Sequence, residues 1–296
     1  LNPARRRRFL PRAGPAGTPG EEGMTVTRRK DGTIGYVELA NPPVNAINRE
    51  MRQGLLDAVQ WAEAEALERV ILSGAGRGFA AGADAREFDR APEPPHLPEV
   101  LRRIELSPVP WIAAVHGAAL GGGAEILLAC RYRIARPDAT LGLPEVTLGV
   151  VPGAGGTQRL PRLVGMPAAL DLIPTGRAVS GDAALRIGLV DALADDPVAL
   201  ASAVPSKRLK LALPVGQRPA STAPEVAFTD ARNAAERSMS GQIAPRRAIE
   251  LLELAQTQPL DDGLRHERET FLALRQSDQA RALRHVFFAE RSARAP

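Results

Sequence analysis

Apolar and polar positions change period several times along the chain, and each change marks an element. Thr33 to Leu39 has the residue types of a strand, and Asn41-Pro42-Pro43 breaks it. Met51, Leu55, Ala58, Val59, Ala62 and Ala66 then recur at helical spacing, with Asn48 placed to cap the helix start. Val70-Ile71-Leu72 and Trp111-Ile112-Ala113-Ala114-Val115 are unbroken apolar runs of the kind that form buried strands. Between them lie an irregular, proline-rich stretch from Ala91 to Pro98 and a helix near Val100 to Leu106. Ala124 to Ala129 reads as helix, Tyr132 to Ala135 as a short strand, and Asp138 to Glu145 as a turn. Strands alternate with helices, so residues 24–191 read as an α/β body.

Residues 192–296 differ in character. Pro205 to Pro224 holds four prolines and two of the three lysines, and reads as a linker or surface excursion. Three helical stripes follow, carrying Ala248, Leu251, Leu252 and Ala255, then Leu264, Phe271 and Leu272, then Ala280, Leu283 and Phe287. This helical unit must cover its apolar stripes on the α/β body or on a second subunit.

Charge alters the picture only at the amino terminus. The formal net charge is +4, but residues 1–23 hold Arg5 to Arg8 and Arg12 against Glu21 and Glu22, so the remaining body is close to neutral. That speaks against a basic nucleic-acid groove. Residues 1–23 are rich in Arg, Pro and Gly and poor in large apolar side chains, which predicts disorder, with Met24 the expected start of the native chain. A transit peptide is the competing reading, although Thr18 is the segment's one hydroxyl residue. No apolar run reaches the roughly 20 residues a membrane span needs. The single cysteine, Cys130, excludes an intramolecular disulfide, and the four scattered histidines offer no metal-ligand spacing. A reducing, cytoplasmic setting is expected, or a mitochondrial or peroxisomal one in a eukaryote.

The candidate chemistry centres on two glutamates. Glu125 follows Gly121-Gly122-Gly123-Ala124, and Glu145 closes Gly142-Leu143-Pro144-Glu145. The triple glycine opens a short apolar helix, whose first N–H groups have no intrahelical partner and favour an oxygen gaining negative charge. A second donor from the Gly82-Ala83 loop would complete an oxyanion hole, in which one lost donor costs on the order of 10²- to 10³-fold in rate. Two such donors and two carboxyls suit a thioester whose enolate forms while carbons 2 and 3 exchange protons and water. Apolar neighbours such as Leu143 and Val146 should keep one carboxyl protonated near neutrality.

Other motifs carry less. Gly74-Ala75-Gly76-Arg77-Gly78 and Gly153-Ala154-Gly155-Gly156 match neither the dinucleotide fingerprint nor the P-loop. His116, between a buried strand and Gly117, reads as an imidazole bonded to nearby backbone rather than a base. Cys130 reads as a small buried residue.

In combination these motifs resemble the enoyl-CoA hydratase/isomerase family, the crotonase superfamily, from about Met24 to Asp191. The marks are Asn41-Pro42-Pro43-Val44-Asn45-Ala46, Gly78 to Asp84, His116 to Glu125, and Leu143-Pro144-Glu145 through Pro152 to Pro161. The resemblance implies a crotonase-like spiral of ββα repeats followed by the carboxy-terminal helical unit. It implies oxyanion N–H groups at Ala83 and Gly122, with Glu125 activating water for attack at C3 and Glu145 delivering a proton to C2. Val44, Asn45 and Ala46, with Ala81, Gly82, Asp84 and Gly121, would bind the substrate. No metal and no cofactor beyond the coenzyme A of the acyl-CoA substrate is implied.

Pro259 to Leu264, with Glu267, Glu269 and Phe271, and Ala282 to Arg291 resemble the connector of multifunctional β-oxidation enzymes, which joins a hydratase half to a 3-hydroxyacyl-CoA dehydrogenase half. The sequence stops at Pro296 before any dinucleotide fingerprint. The expectation is therefore a hydratase half, as a homotrimer or hexamer or in association with a dehydrogenase. Arg131 and Pro174 depart from the family pattern. Two other readings stand beside hydration: 3,2-enoyl-CoA isomerisation, which needs one carboxylate, and an RNA-binding or scaffold role on the same fold.

Overall fold

A computed structural model of the protein describes residues 25–84, 87–88 and 90–293. The expected disorder of residues 1–23 and the expected start at Met24 lie outside the described residues.

The first strand, β1 (Val26–Asp31), pairs antiparallel with β2 (Ile34–Leu39). The helix α1 (Arg49–Ala64) then returns the chain to β3 (Arg69–Gly74), which lies parallel to β2. Asn48 caps α1 as its spacing predicts, its side chain accepting from Met51 N at 2.9 Å. After α2 (Leu97–Leu106), β4 (Trp111–Val115) extends the sheet beside β3. The chain then steps sideways into a second sheet through β5 (Ala118–Leu120), and α3 (Gly122–Ala129) leads back to β6 (Tyr132–Ala135) alongside β4.

The same step repeats. Strand β7 (Thr140–Gly142) pairs with β5, and α4 (Gly156–Val164) and α5 (Met166–Leu172) precede β8 (Val179–Ser180), which pairs with β7. Helix α6 (Gly181–Arg186) and β9 (Ala192–Leu193) return to the first sheet beside β6. The result is a six-stranded sheet, β1-β2-β3-β4-β6-β9, and a three-stranded sheet, β5-β7-β8. Successive turns thus leave one strand in each sheet, which is the expected spiral. Where a turn was expected from Asp138 to Glu145, β7 is present: a three-residue strand is too short to show a period.

The larger sheet is covered on both faces, which explains its unbroken apolar strands. Val70, Leu72, Trp111, Ala113 and Val115 face the main core with α1, α2 and α3. Ile71, Ile112, Ala114 and Ile134 point the other way, onto Ala201, Val204 and Leu209. Ala201 lies on α7 (Pro197–Ala203), Val204 follows as its C-cap residue, and Leu209 lies on α8 (Ser206–Leu211). Residues 206–217, expected as linker, are therefore partly ordered packing: α8 seats Leu209, and a 3-10 turn at Val215–Gln217 buries Val215. Prolines here punctuate short helices rather than mark a tether.

The carboxy-terminal region holds α9 (Glu225–Ser238), α10 (Ile243–Thr257), α11 (Leu260–Arg275) and α12 (Asp278–Ala293). The last three are the expected stripes, and α9, which buries just Phe228 and Ala235, adds a fourth helix. All four lie on the chain's own body, and Ala244, Ala248, Leu251, Leu252, Leu274 and Ala280 join the main core. The approach of α11 to α4 is close enough that a Cβ on Gly263 would meet Gln158 Oε1 at 2.1 Å.

Under the larger sheet's edge a buried ion pair ties three segments together. Arg159 on α4 and Glu105 on α2 are 1% and 3% exposed and meet at 2.9 Å. Glu105 Oε1 also accepts from Gly216 N at 2.7 Å, and Arg159 Nη1 donates to Ala154 O at 2.9 Å. Removing one partner strands the other charge without water. Glu105→Ala should lower the unfolding free energy in chemical denaturation by about 3–5 kcal/mol; a loss below about 1 kcal/mol, the range of an exposed pair, would contradict this reading.

Candidate active site

Two loops carry the backbone donors to one place. Ile47 N donates to Gly82 O at 2.9 Å and Asp84 N donates to Ile47 O at 3.1 Å. This parallel bridge uses the groups on either side of Ala83, so Ala83's own N–H points away from Ile47. A second bridge, Ala80 with Ala119, lays the same loop along β5 and therefore beside Gly121 and Gly122. Gly122 is the first residue of α3, where the N–H has no intrahelical acceptor. A Cβ built on Gly122 would stand 3.7 Å from Ala83 N, and one on Gly82 would stand 3.8 Å from Gly122 N. The two N–H groups are thus neighbours with no side chain between them.

They open on a cavity of about 320 Å³. Ala81, Gly82, Ala83, Asp84, Gly121, Gly122, Glu125 and Glu145 all line it. Val44, Asn45 and Ala46 are not on its wall. Val44 O accepts from Ala81 N at 3.1 Å, and buried Asn45 donates to Ala75 O and Gly78 O at 2.8 and 2.9 Å, so this segment holds the loops from behind. Asn45 also has a left-handed φ of 52°, a conformation asparagine tolerates better than most side chains.

Glu125, on the first turns of α3, is 3% exposed. Its Oε1 accepts from Ala154 N at 2.7 Å and Gly156 N at 2.9 Å, which leaves Oε2 for a ligand. Glu145 begins the 3-10 turn Glu145–Leu148 and stands over the triple glycine, where a Cβ on Gly121 would meet its Oε1 at 3.1 Å. As a residue Glu145 is half-buried, but its Oε2 is shielded from solvent and has no hydrogen-bond partner among the described residues.

These surroundings separate the two carboxyls. Burial pushes Glu125 above the usual carboxylate range, but the Ala154 and Gly156 N–H groups and the nearby Arg159 and Arg268 charges pull it back. Burial raises Glu145 well above that range, and the charges of Glu125 and then Glu267 raise it further. Of the two, Glu145 therefore holds its proton to higher pH, and Glu125 is the better-supported anion.

A third carboxyl belongs to the same site. Glu267, on α11 and 1% exposed, accepts from Gly155 N, from Thr157 N at 2.7 Å and from Thr157 Oγ1 at 2.6 Å. Burial and then the Glu125 charge push it up to about 8. Four successive N–H groups, from Ala154 to Thr157, thus go alternately to Glu125 and Glu267. Gly155 makes the turn possible: its φ is +112°, and a Cβ there would lie 1.7 Å from Arg159 Nη1.

The carboxy-terminal helices close the apolar end of the cavity. Phe271 and Phe287 line it with Phe88, Leu148 and Val150, and the Phe88 and Phe271 rings meet edge-on at 6.3 Å. Arg275 fastens α11 to the facing loop by donating to Phe88 O at 2.9 Å and Arg90 O at 2.6 Å. Sequence reasoning gave Glu267 and Phe271 no place in the site. A detectable signal existed: Gly263, Glu267, Phe271 and Leu274 share one helical stripe, and an acid on an apolar stripe needs a partner.

His116 and Cys130 stand apart from this chemistry. His116 Nε2 lies 3.0 Å from Gly76 O, a backbone contact as expected. The Cys130 thiol is buried, which pushes its pKa up to about 12. Among the described residues no group of His, Cys, Asp and Glu side chains could hold a metal, and no helix is long and apolar enough to cross a membrane.

The sequence pattern of the family described as "Enoyl-CoA hydratase/isomerase" matches residues 29–212. The human "Peroxisomal bifunctional enzyme" is 39% identical over 283 residues, covering 91% of this chain and 38% of that protein. The "Probable enoyl-CoA hydratase" of Bacillus subtilis is 45% identical over 174 residues, 56% of this chain and 67% of its own length. The chain thus spans less than two fifths of the bifunctional relatives it matches. Among solved structures, an enoyl-CoA hydratase/isomerase from Pseudoalteromonas atlantica aligns with a TM-score of 0.65 at 26% identity, covering 92% of this chain and 98% of that one. An enoyl-CoA hydratase from Bacillus anthracis aligns at 0.55 with 32% identity, covering 86% and 92%. The chain belongs to the enoyl-CoA hydratase/isomerase family.

Proposed function

We propose that this chain is an enoyl-CoA hydratase of fatty-acid β-oxidation, adding water across the 2,3 double bond of a trans-2-enoyl-CoA to give the 3-hydroxyacyl-CoA. The observation that carries the reading is a pair of carboxyls in unlike surroundings, Glu125 and Glu145, on one cavity with the Ala83 and Gly122 N–H groups.

The thioester oxygen lies between the two N–H groups, and the substrate's double bond lies between the two carboxyls. Glu125, through Oε2, takes a proton from water as the water oxygen bonds to C3. The π electrons move through C2 onto the thioester oxygen, where the fixed N–H dipoles stabilise the enolate. Protonated Glu145 then gives its proton to C2, the enolate collapses to the thioester, and the proton on Glu125 passes to Glu145 through the next water. Coenzyme A enters and leaves as part of the substrate, and no other cofactor takes part.

The acyl tail runs toward Phe88, Phe271 and Phe287. The 3-hydroxyacyl product suits a 3-hydroxyacyl-CoA dehydrogenase, supplied by a further segment of a longer protein or by a separate one. Relatives of that composite kind have names that place them in the peroxisome. A peroxisomal setting fits a eukaryotic source and the cytoplasm a bacterial one.

Three outcomes test the reading. Glu125→Gln and Glu145→Gln should each lower hydratase turnover of crotonyl-CoA by roughly 10²- to 10⁴-fold, the loss of general base or acid. If Glu145→Gln alone is impaired while 3-enoyl-CoA isomerisation is retained in Glu125→Gln, the chain is an isomerase instead. The profile of kcat/KM against pH should fall on the acid side as Glu125 gains a proton and on the alkaline side as Glu145 loses one. Because Glu145's pKa is raised, the alkaline fall belongs well above the usual carboxylate range; a single fall near the ordinary glutamate pKa of about 4.3 would contradict the assignment. Phe271→Ala should raise kcat/KM for long-chain relative to four-carbon substrates, and an unchanged ratio would remove Phe271 from the acyl pocket.

A further inference from the structure

Glu267 takes no part in the steps above and does not line the cavity, yet it is one of the most thoroughly enclosed charged side chains of the protein. It reaches the site from behind, across the turn of residues 154–157. Glu125 faces it from α3 and Glu145 from the 3-10 turn. Arg159 on α4, paired with Glu105 of α2, lies beneath the same turn, and Arg268 is its neighbour on α11. A carboxyl so close to two others is an expensive way to fill space, since an apolar residue of similar volume would be buried without that repulsion.

What the carboxyl supplies is a pair of acceptors at fixed spacing. Gly155 is the N-cap residue of α4 and Thr157 lies in its first turn, so their N–H groups belong to the unsatisfied set at a helix start. With Gly155 N on Oε1 and Thr157 N on Oε2, the alternate groups, Ala154 N and Gly156 N, are turned toward Glu125. A neutral amide offers one acceptor oxygen in place of two, so it cannot meet the two N–H groups at the two positions the carboxyl oxygens occupy.

We propose that Glu267 is a positioning residue for Glu125: by gripping alternate N–H groups of the 154–157 turn, it holds the other two on Glu125 Oε1 and makes alignment of the base depend on docking of α11. The inference rests on the hydratase reading. It ascribes to the carboxy-terminal helices a part in the chemistry besides closing the acyl pocket.

The test uses the full chain with Glu267→Ala, Glu125→Gln and the double variant, in steady-state hydration of crotonyl-CoA. Hydration by the unaltered protein, and its loss in Glu125→Gln, settle the hydratase reading separately. With Glu267→Ala the turn loses its rear support, and kcat should fall roughly 10- to 100-fold, the scale of a small misplacement of a catalytic group. KM should stay within about threefold, because the oxyanion loops and the acyl pocket are untouched. Weakened N–H bonds to Glu125 should move the acid-side fall of kcat/KM to higher pH, by roughly one unit. In the Glu125→Gln background Glu267→Ala should cost little more, since the two act as one unit.

Unchanged kcat, an acid limb that stays in place, or losses that multiply in the double variant would each overturn the proposal. Should Glu267→Ala fail to fold, Glu267→Asp carries the same test. It keeps a carboxyl on a shorter arm, and the same lowered kcat and raised acid limb are expected.

Discussion

The structure depends on how few backbone donors are available to a buried carboxylate. Glu125 sits in a dry pocket, and burial alone would neutralise it. Two N–H groups from a turn on another element, Ala154 and Gly156, keep it ionisable. That turn sits at the start of α4, where the helix offers unpaired N–H groups and the positive end of its dipole. Its shape requires Gly155, beneath which the Arg159 guanidinium packs against Ala154 O, and Arg159 is in turn held by Glu105. Much of the buried polar network serves to present one carboxylate.

The spiral supplies the other half. From β4 onward each turn places a strand in both sheets, as β4 with β5, β6 with β7 and β9 with β8. The Ile47–Ala83 and Ala80–Ala119 bridges extend the small sheet just far enough to bring the first loop beside the start of α3. The nearness of the Ala83 and Gly122 N–H groups is therefore a consequence of sheet pairing. Glu145, one strand later, faces the same space with no donor on its Oε2, which is why it differs so sharply from Glu125.

The sequence made the strong periods and the glycine motifs readable. Strands β2, β3, β4 and β6, helix α1 with its Asn48 cap, and the pairing of Glu125 with Glu145 follow from apolar runs and from chemistry local in the chain. Elements of two or three residues did not, because β5, β8 and β9 are too short to carry a pattern and exist through their neighbours' hydrogen bonds. Residues 205–224 run mostly along the surface, and the anchoring of their short helices by buried Leu209 and Val215 is not written in the prolines. For Glu267 the helical stripe signals a buried acid but not its partners, because its three hydrogen bonds join residues 110 or more positions apart.

Acid and base roles for this pair require a division of protonation states, with Glu145 neutral and Glu125 better able to carry charge. Infrared spectroscopy of the protein at neutral pH reads it directly, through the carbonyl stretch that only a protonated carboxyl shows. A band present in the unaltered protein and missing in Glu145→Gln is the predicted result. Spectra in which Glu145→Gln removes no protonated-carboxyl band would contradict the account.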